Sequence, residues 1–272
     1  MLRRRSILFA TLVMSAAMAL LTGGTMAAHA STPNTVPSAI NPGGLVQHLI
    51  KPASSTSGTV GAISQEESTN WSGYADTSGT FSTVSASWTQ PAGTCSRGDQ
   101  YAAFWVGIDG YSSETVEQTG SEVDCVGRTA EYYAWYEMYP GPSENYTNTV
   151  KAGDQFSASV TWDGGDNFTL SITDHTQDWT ETTEQSLGST PARSSAEVIA
   201  EAPCCTGSGG ILPLTDFGTV SFTSSLANGE AIGTSSLEPE EINMVDNSGN
   251  LKDECSGLTD SENFTCTWER SS

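Results

Sequence analysis

Residues 156–173 read FSASVTWDGGDNFTLSIT, and this stretch decides the fold class. Phe156, Ala158, Val160 and Trp162 alternate with Ser157, Ser159 and Thr161. Phe168, Leu170 and Ile172 then alternate with Thr169, Ser171 and Thr173. A period of two puts the apolar side chains of each run on one face of a strand. The stretch Asp163-Gly164-Gly165-Asp166-Asn167 between the runs has the chemistry of a hairpin turn. The same alternation recurs where Val84, Ala86 and Trp88 interleave with Ser85, Ser87 and Thr89, and again at Val220 and Phe222. No segment of useful length carries a helical period. Many short alternating strands with Gly and Asp turns predict an all-β fold, an antiparallel β-sandwich of the jelly-roll or concanavalin kind.

Two segments depart from simple alternation. Tyr101–Ile108 is apolar nearly throughout, which predicts a central strand buried on both faces. Tyr132–Tyr139 is aromatic on both faces. One face carries Tyr133, Trp135, Glu137 and Tyr139; the other carries Tyr132, Ala134, Tyr136 and Met138. Aromatics around a single Glu resemble a groove for an extended polymer, but on pattern alone a core face with a tolerated edge Glu is the favoured reading.

Outside the sandwich, composition sets the boundaries. Arg3, Arg4 and Arg5, an apolar run over 7–21 and the Ala28-His29-Ala30 site predict an export signal over residues 1–30. Residues 31–65 are rich in Ser, Thr, Pro and Gly and hold no Asp, Glu, Cys, Trp or Tyr. Such a segment cannot bury a core, so it reads as a largely disordered propeptide or linker. Its apolar stretch Leu45–Ile50 could dock as an inhibitory pro-segment. Residues 66–272 then form one catalytic-size domain. All 32 acids fall in it, against Arg97, Arg128, Lys151, Arg193, Lys252 and Arg270. That charge repels nucleic acid and suits a secreted, extracellular monomer with no membrane attachment once the signal is gone. Self-repulsion falls as carboxylates protonate, so acid working conditions fit. In an exported chain the six cysteines read as disulfides, with Cys95–Cys125 and Cys255–Cys266 as the plausible pairs. A bridge between the adjacent Cys204 and Cys205 would be strained.

Elimination narrows the chemistry. His175 is the only histidine of the domain, and no G-x-S-x-G elbow accompanies it, which argues against a Ser–His–Asp triad. The HExxH pattern and Cys-x-x-Cys are absent, so no metal or cofactor is expected. Asp76-Thr77-Ser78-Gly79 matches a D-T-[SG] loop once, whereas an aspartic dyad needs two. Glu197 and Glu201 share a face of one strand but are about 13 Å apart, too far for a retaining glycosidase pair by themselves. What remains is Asp, Glu, Asn and Gln.

Five ordered blocks then carry a resemblance. They are Asn70-Trp71-Ser72-Gly73-Tyr74-Ala75, Trp105-Val106-Gly107-Ile108-Asp109-Gly110, Gln118-Thr119-Gly120, Ala134-Trp135-Tyr136-Glu137-Met138-Tyr139-Pro140 and Ala196-Glu197-Val198-Ile199-Ala200-Glu201. From about Asn70 to about Thr223 the chain resembles the glutamic peptidases, or eqolisins, as a bacterial-type secreted member. The resemblance implies two antiparallel sheets of about seven strands each and an acid endopeptidase insensitive to pepstatin, acting on polypeptides. It maps the catalytic pair onto Gln118 and Glu201. Trp71, Trp105, Asp109, Trp135 and Glu137 resemble cleft or supporting residues, and Glu197 lies on the face of Glu201. Three positions depart from the fungal pattern: Glu117 replaces an apolar residue, Tyr133 an Asp, and Val198 an aromatic. The rival functions are a carbohydrate-active or carbohydrate-binding sandwich and an inactive relative serving as a binding module.

Overall fold

The computed structural model describes residues 57–60, 63–204 and 210–272, the first of these by backbone alone. The proposed export signal and most of the 31–65 segment lie outside the described residues, as does Cys205. In chain order the strands are β1 (Ser57–Val60), β2 (Ile63–Ser68), β3 (Trp71–Asp76), β4 (Thr83–Thr89), β5 (Gln100–Ile108) and β6 (Val116–Val126). They continue with β7 (Thr129–Tyr139), β8 (Glu144–Asn145), β9 (Gln155–Gly164), β10 (Asn167–Asp174), β11 (Trp179–Ser186) and β12 (Ala196–Glu201). The last are β13 (Thr219–Ala227), β14 (Glu230–Ala231), β15 (Pro239–Val245), β16 (Leu251–Cys255) and β17 (Phe264–Trp268). Regular pairing thus starts upstream of the composition step at Glu66, because β1 and β2 form a polar hairpin that needs no aromatic residue. Among the described residues no helix is long and apolar enough to cross a membrane.

Strand pairing resolves the two layers. One sheet runs β8–β7–β6–β5–β12–β3–β15–β2–β1. The other runs β11–β10–β9–β4–β13–β17–β16, with β14 folded onto β13. All these pairs are antiparallel except β2–β15. β16 also pairs with β15, so hydrogen bonding continues from one sheet into the other. The decisive hairpin forms as its sequence predicts: β9 and β10 pair in register around Gly164 and Gly165, both at positive φ.

The alternation of each strand turns one face inward. From the first sheet Tyr74, Phe104, Val106, Val123 and Val198 meet Trp88, Phe156, Leu170 and Phe222 of the second, all 3 % exposed or less. Each such side chain contributes roughly 1.5–3 kcal/mol by leaving water. β5 is the spine: its last seven residues are buried on both faces. It is covered inside by the second sheet and outside by a smaller cluster of Trp71, Ala75, Trp105, Trp135 and Ile199. The outer face of the second sheet is different. There Ser85, Ser87, Ser157, Ser159, Ser171, Thr173 and Ser224 line a shallow depression. Cross-strand hydroxyl pairs such as Thr173–Thr180 (2.9 Å) run beside it.

Two disulfides match the expected pairs. Cys95–Cys125 ties the segment ahead of β5 to the end of β6, and Cys255–Cys266 joins register partners of β16 and β17. Cys204 is also disulfide-bonded.

Candidate active site

The outer face of the first sheet carries the chemistry, and strand register arranges it in rows. Glu197, Gly107, Gln118 and Glu137 succeed one another across β12, β5, β6 and β7. Two residues along, Ile199, Trp105, Gly120 and Trp135 form the next row. Two further, Glu201, Ala103, Glu122 and Tyr133 form the third, with Trp71 of β3 beside Glu201. Because side chains alternate, all of these project from one face. Gln118 and Glu201 therefore share a face but occupy the outer two rows, with Trp105 between them.

The indole of Trp105 spans that interval. Its Nε1 donates to Glu201 Oε2 at 2.8 Å. Its Cζ3 lies over Gly107, where a Cβ would be 2.8 Å from that carbon and 3.3 Å from the Gln118 Cβ. Gly120 serves the same ring from the other side, since a Cβ there would come within 2.5 Å of Trp105 Cβ. Trp71 meets Trp105 edge to face, with centroids 4.9 Å apart. Small residues at 107 and 120 thus make room for a large indole that bonds to Glu201.

Each member of the pair is anchored. Asn70 Nδ2 approaches Glu201 Oε1 at 3.5 Å, so both carboxylate oxygens face N–H donors, the arrangement that stabilises negative charge. Gln118 Nε2 donates to Glu137 Oε2 at 3.2 Å, which fixes the amide orientation. Behind β12, Ser72 Oγ lies 3.1 Å from the Ala200 carbonyl oxygen and also meets Asp253. Burial pushes the Asp253 carboxyl up to about 7, so in acid it is a neutral partner for Ser72.

The other expected residues divide by role. Asp109 stands at φ 71° just past β5 and accepts from Arg193 N (2.7 Å), Ser194 N (2.9 Å) and Ser194 Oγ (3.1 Å). It secures the segment leading into β12 and so acts on Glu201 through the backbone. Glu197 is wholly buried, and burial, with smaller contributions from Asp109, Glu117 and Asp76, holds its carboxyl well above the usual range. Glu197, and not Glu201, shares a row with Gln118. The core-face reading holds and the exposed groove does not: Trp71, Trp105 and Trp135 have no exposed surface and Tyr133 has 7 %. The rings pack on one another and on Val116 and Ile199 instead of facing water. Asn70, Glu122 and Asp124 belong to the same face and sequence reasoning did not single them out. The N-W-S-G block offered a signal for Asn70; the period-two parity of Gln118 offered one for the other two. His175 lies on the second sheet, 2.8 Å from Ser157 Oγ, away from this face.

Comparison with known proteins agrees with the geometry. The model of the peptidase A4 family matches residues 69–268. Aspergillopepsin-2 of Aspergillus niger is 27 % identical over 210 residues, 68 % of this chain and 72 % of that protein. Scytalidopepsin B of Scytalidium lignicola is 40 % identical over 95 residues, 34 % of this chain and 35 % of that protein. A crystal structure of scytalido-glutamic peptidase with a transition-state analogue inhibitor superposes with a TM-score of 0.64 at 25 % identity, covering 74 % of this chain and 98 % of that one. Aspergilloglutamic peptidase from Aspergillus niger shares the fold, with a TM-score of 0.54 over 62 % of this chain and 99 % of its own.

Proposed function

Because the chain belongs to the peptidase A4 family, the glutamic peptidases, and is a glutamic-type endopeptidase acting on polypeptides, we propose that Gln118 and Glu201 are the pair through which it cleaves them. Glu201 takes a proton from water as the water attacks the peptide carbonyl, and its conjugate acid then protonates the leaving amine. Gln118, whose Nε2 donates to Glu137, stabilises the oxyanion through its amide; register sets it two strands and four residues from Glu201, roughly 16 Å between backbones, so the two act on one water only once the face between them rearranges. Gln does not titrate, so activity extends into acid until Glu201 itself is protonated. The observation that supports this reading is the Trp105 indole, bonded to Glu201 through Nε1 and reaching with Cζ3 over Gly107, the β5 residue in register with Gln118.

The same reading makes the enzyme a secreted monomer, resistant to pepstatin and active in acid, with 1–30 as its export signal. Gln118, Glu137 and Glu201 have no exposed surface in the 272-residue chain. A polypeptide reaches them only once this face opens. The experiment is digestion of a denatured protein across acid to neutral pH, with and without pepstatin, by the mature enzyme and its Glu201→Gln and Gln118→Ala variants. Acid-dependent, pepstatin-resistant cleavage is expected from the wild type alone, with all three proteins folded. Normal turnover by either variant refutes the assignment.

A further inference from the structure

The β6 strand carries two more acids on the face of Gln118, and the reaction scheme uses neither. Glu122 is in register with Ala103, and Ala103 with Glu201. An alanine methyl is thus the side chain standing between the two glutamates along that row. On its other side Glu122 is in register with Tyr133 of β7. Tyr133 Oη donates to Asp124 Oδ2 at 2.8 Å, and Glu122 and Asp124 are hydrogen-bonded to each other. Glu122 and Asp124 have no exposed surface.

Two buried carboxyl groups this close do not both ionise. Tyr133 bonds to both carboxyl groups, while in their mutual bond Glu122 donates and Asp124 accepts, so Glu122 is the last of the two to ionise. Burial first, then Asp124, keep the Glu122 carboxyl well above the usual range, and Glu201 adds to this. Burial pushes Asp124 up to about 7 against the lowering effect of its bonds to Glu122 and Tyr133. The other groups acting on the pair are Tyr101 of β5, Glu131 of β7 and Asp99 ahead of β5. All of them are acids or phenols.

We propose that Glu122 is a positioning residue for Glu201, and that its proton, held by Asp124 and Tyr133, sets the alkaline limit of peptide hydrolysis. While Glu122 is protonated, Glu201 is the charged carboxylate of that row. Loss of the proton puts a second negative charge two strands from Glu201, about 10 Å, and about 13 Å along β6 from Gln118, where it opposes the developing oxyanion. At an effective dielectric of about 20 that repulsion amounts to roughly a tenfold change in rate, or about one pH unit.

This rests on the Gln118–Glu201 reading, and the test separates the two. The pH profile of kcat/KM is measured for the wild type, Glu122→Gln and Asp124→Asn on one peptide. In Glu122→Gln the amide still donates to Asp124 but cannot ionise, so the alkaline limb moves up by about one pH unit. In Asp124→Asn the negative neighbour is gone, Glu122 ionises sooner, and the same limb moves down. A purely structural role lowers the rate at every pH without opposite movements. Limbs that coincide with the wild type in both variants overturn the inference while leaving the dyad intact; cleavage by Glu201→Gln removes the basis of both. Should either variant fail to fold, carboxyl ¹³C NMR of the wild type decides. Glu122 must titrate within the alkaline limb, and a Glu122 already ionised at the acidic optimum overturns the inference.

Discussion

Replacing Glu117 by Gln should change how the stability of the domain depends on pH. Glu117 follows Val116 on β6 and alternates with Gln118, so it points inward, in register with Ile108 and Met138 and with no exposed surface. Burial, then the charge of Asp109, raise its carboxyl from 4.5 to about 9, against a smaller lowering from Thr115. The folded state therefore keeps a proton that the unfolded chain releases. The stabilisation is fully present below pH 4.5 and is lost progressively as pH rises towards 9. Each pH unit inside that window is worth about 1.4 kcal/mol, so from pH 5 to pH 7 the wild type loses roughly 2.7 kcal/mol through this group. Gln is isosteric and does not titrate. The variant should match the wild type near pH 5 and exceed it at pH 7 by about 5–11 °C in Tm, at the 2–4 °C per kcal/mol usual for this size. Thermal melts by circular dichroism over pH 4–8 provide the measurement. Asp76, raised by burial and by Glu230 to about 8, adds a slope of the same sign in both proteins, so the variant is flatter but not flat. Parallel Tm curves for the two proteins would refute the argument that Glu117 is buried as an acid.

Gly107→Ala should lower kcat by roughly 10- to 100-fold and the melting temperature by about 3–12 °C. Its Cβ would force Trp105 Cζ3 from 2.8 Å and so break the indole bond to Glu201, a charged hydrogen bond worth about 1.5–3 kcal/mol. Steady-state kinetics and a melt on the same sample check this, and an unchanged kcat contradicts the role given to the indole. Replacing both Cys95 and Cys125 by Ala should cost about 3–4 kcal/mol, from the entropy of a loop closed over a separation of 30 residues. Urea denaturation measures it, and a loss under about 1 kcal/mol would mean that the open chain is already held together there.

What the sequence discloses and what it hides follow from the range of the interactions. Period-two alternation is local, so 156–173 declares its hairpin and Tyr101–Ile108 its double burial without any knowledge of partners. Parity along β12 is local too, which is why Glu197 and Glu201 were legible as side chains of one face, whereas Gln118 was legible only through the resemblance. Register is not local. That β12 inserts between β3 and β5 depends on pairing between segments far apart in the sequence. This insertion decides that Glu197, and not Glu201, shares a row with Gln118. The parallel β2–β15 pair and the bridging of both sheets by β16 were hidden for the same reason. Tyr133 looked like the loss of an acid, yet it faces Asp124, and a bond between adjacent strands cannot be seen from either strand alone. The groove reading failed because apolar pattern reports which side chains cluster, and not whether water reaches them.

The hydroxyl rows on the outer face of the second sheet bear on colloidal behaviour. The chain carries a formal charge of −22 at pH 7, and that repulsion disappears near its isoelectric point, about 4.1. Acid conditions that suit a glutamic peptidase bring it to the point where proteins ordinarily begin to stick. Ser85, Ser87, Ser157, Ser159, Ser171 and Thr173 hold water by neutral hydrogen bonds, which acid leaves unchanged. This broad sheet surface thus keeps its hydration when the carboxylates no longer supply repulsion, and dispersal in acid then depends on alcohol groups where at neutral pH it depends on charge.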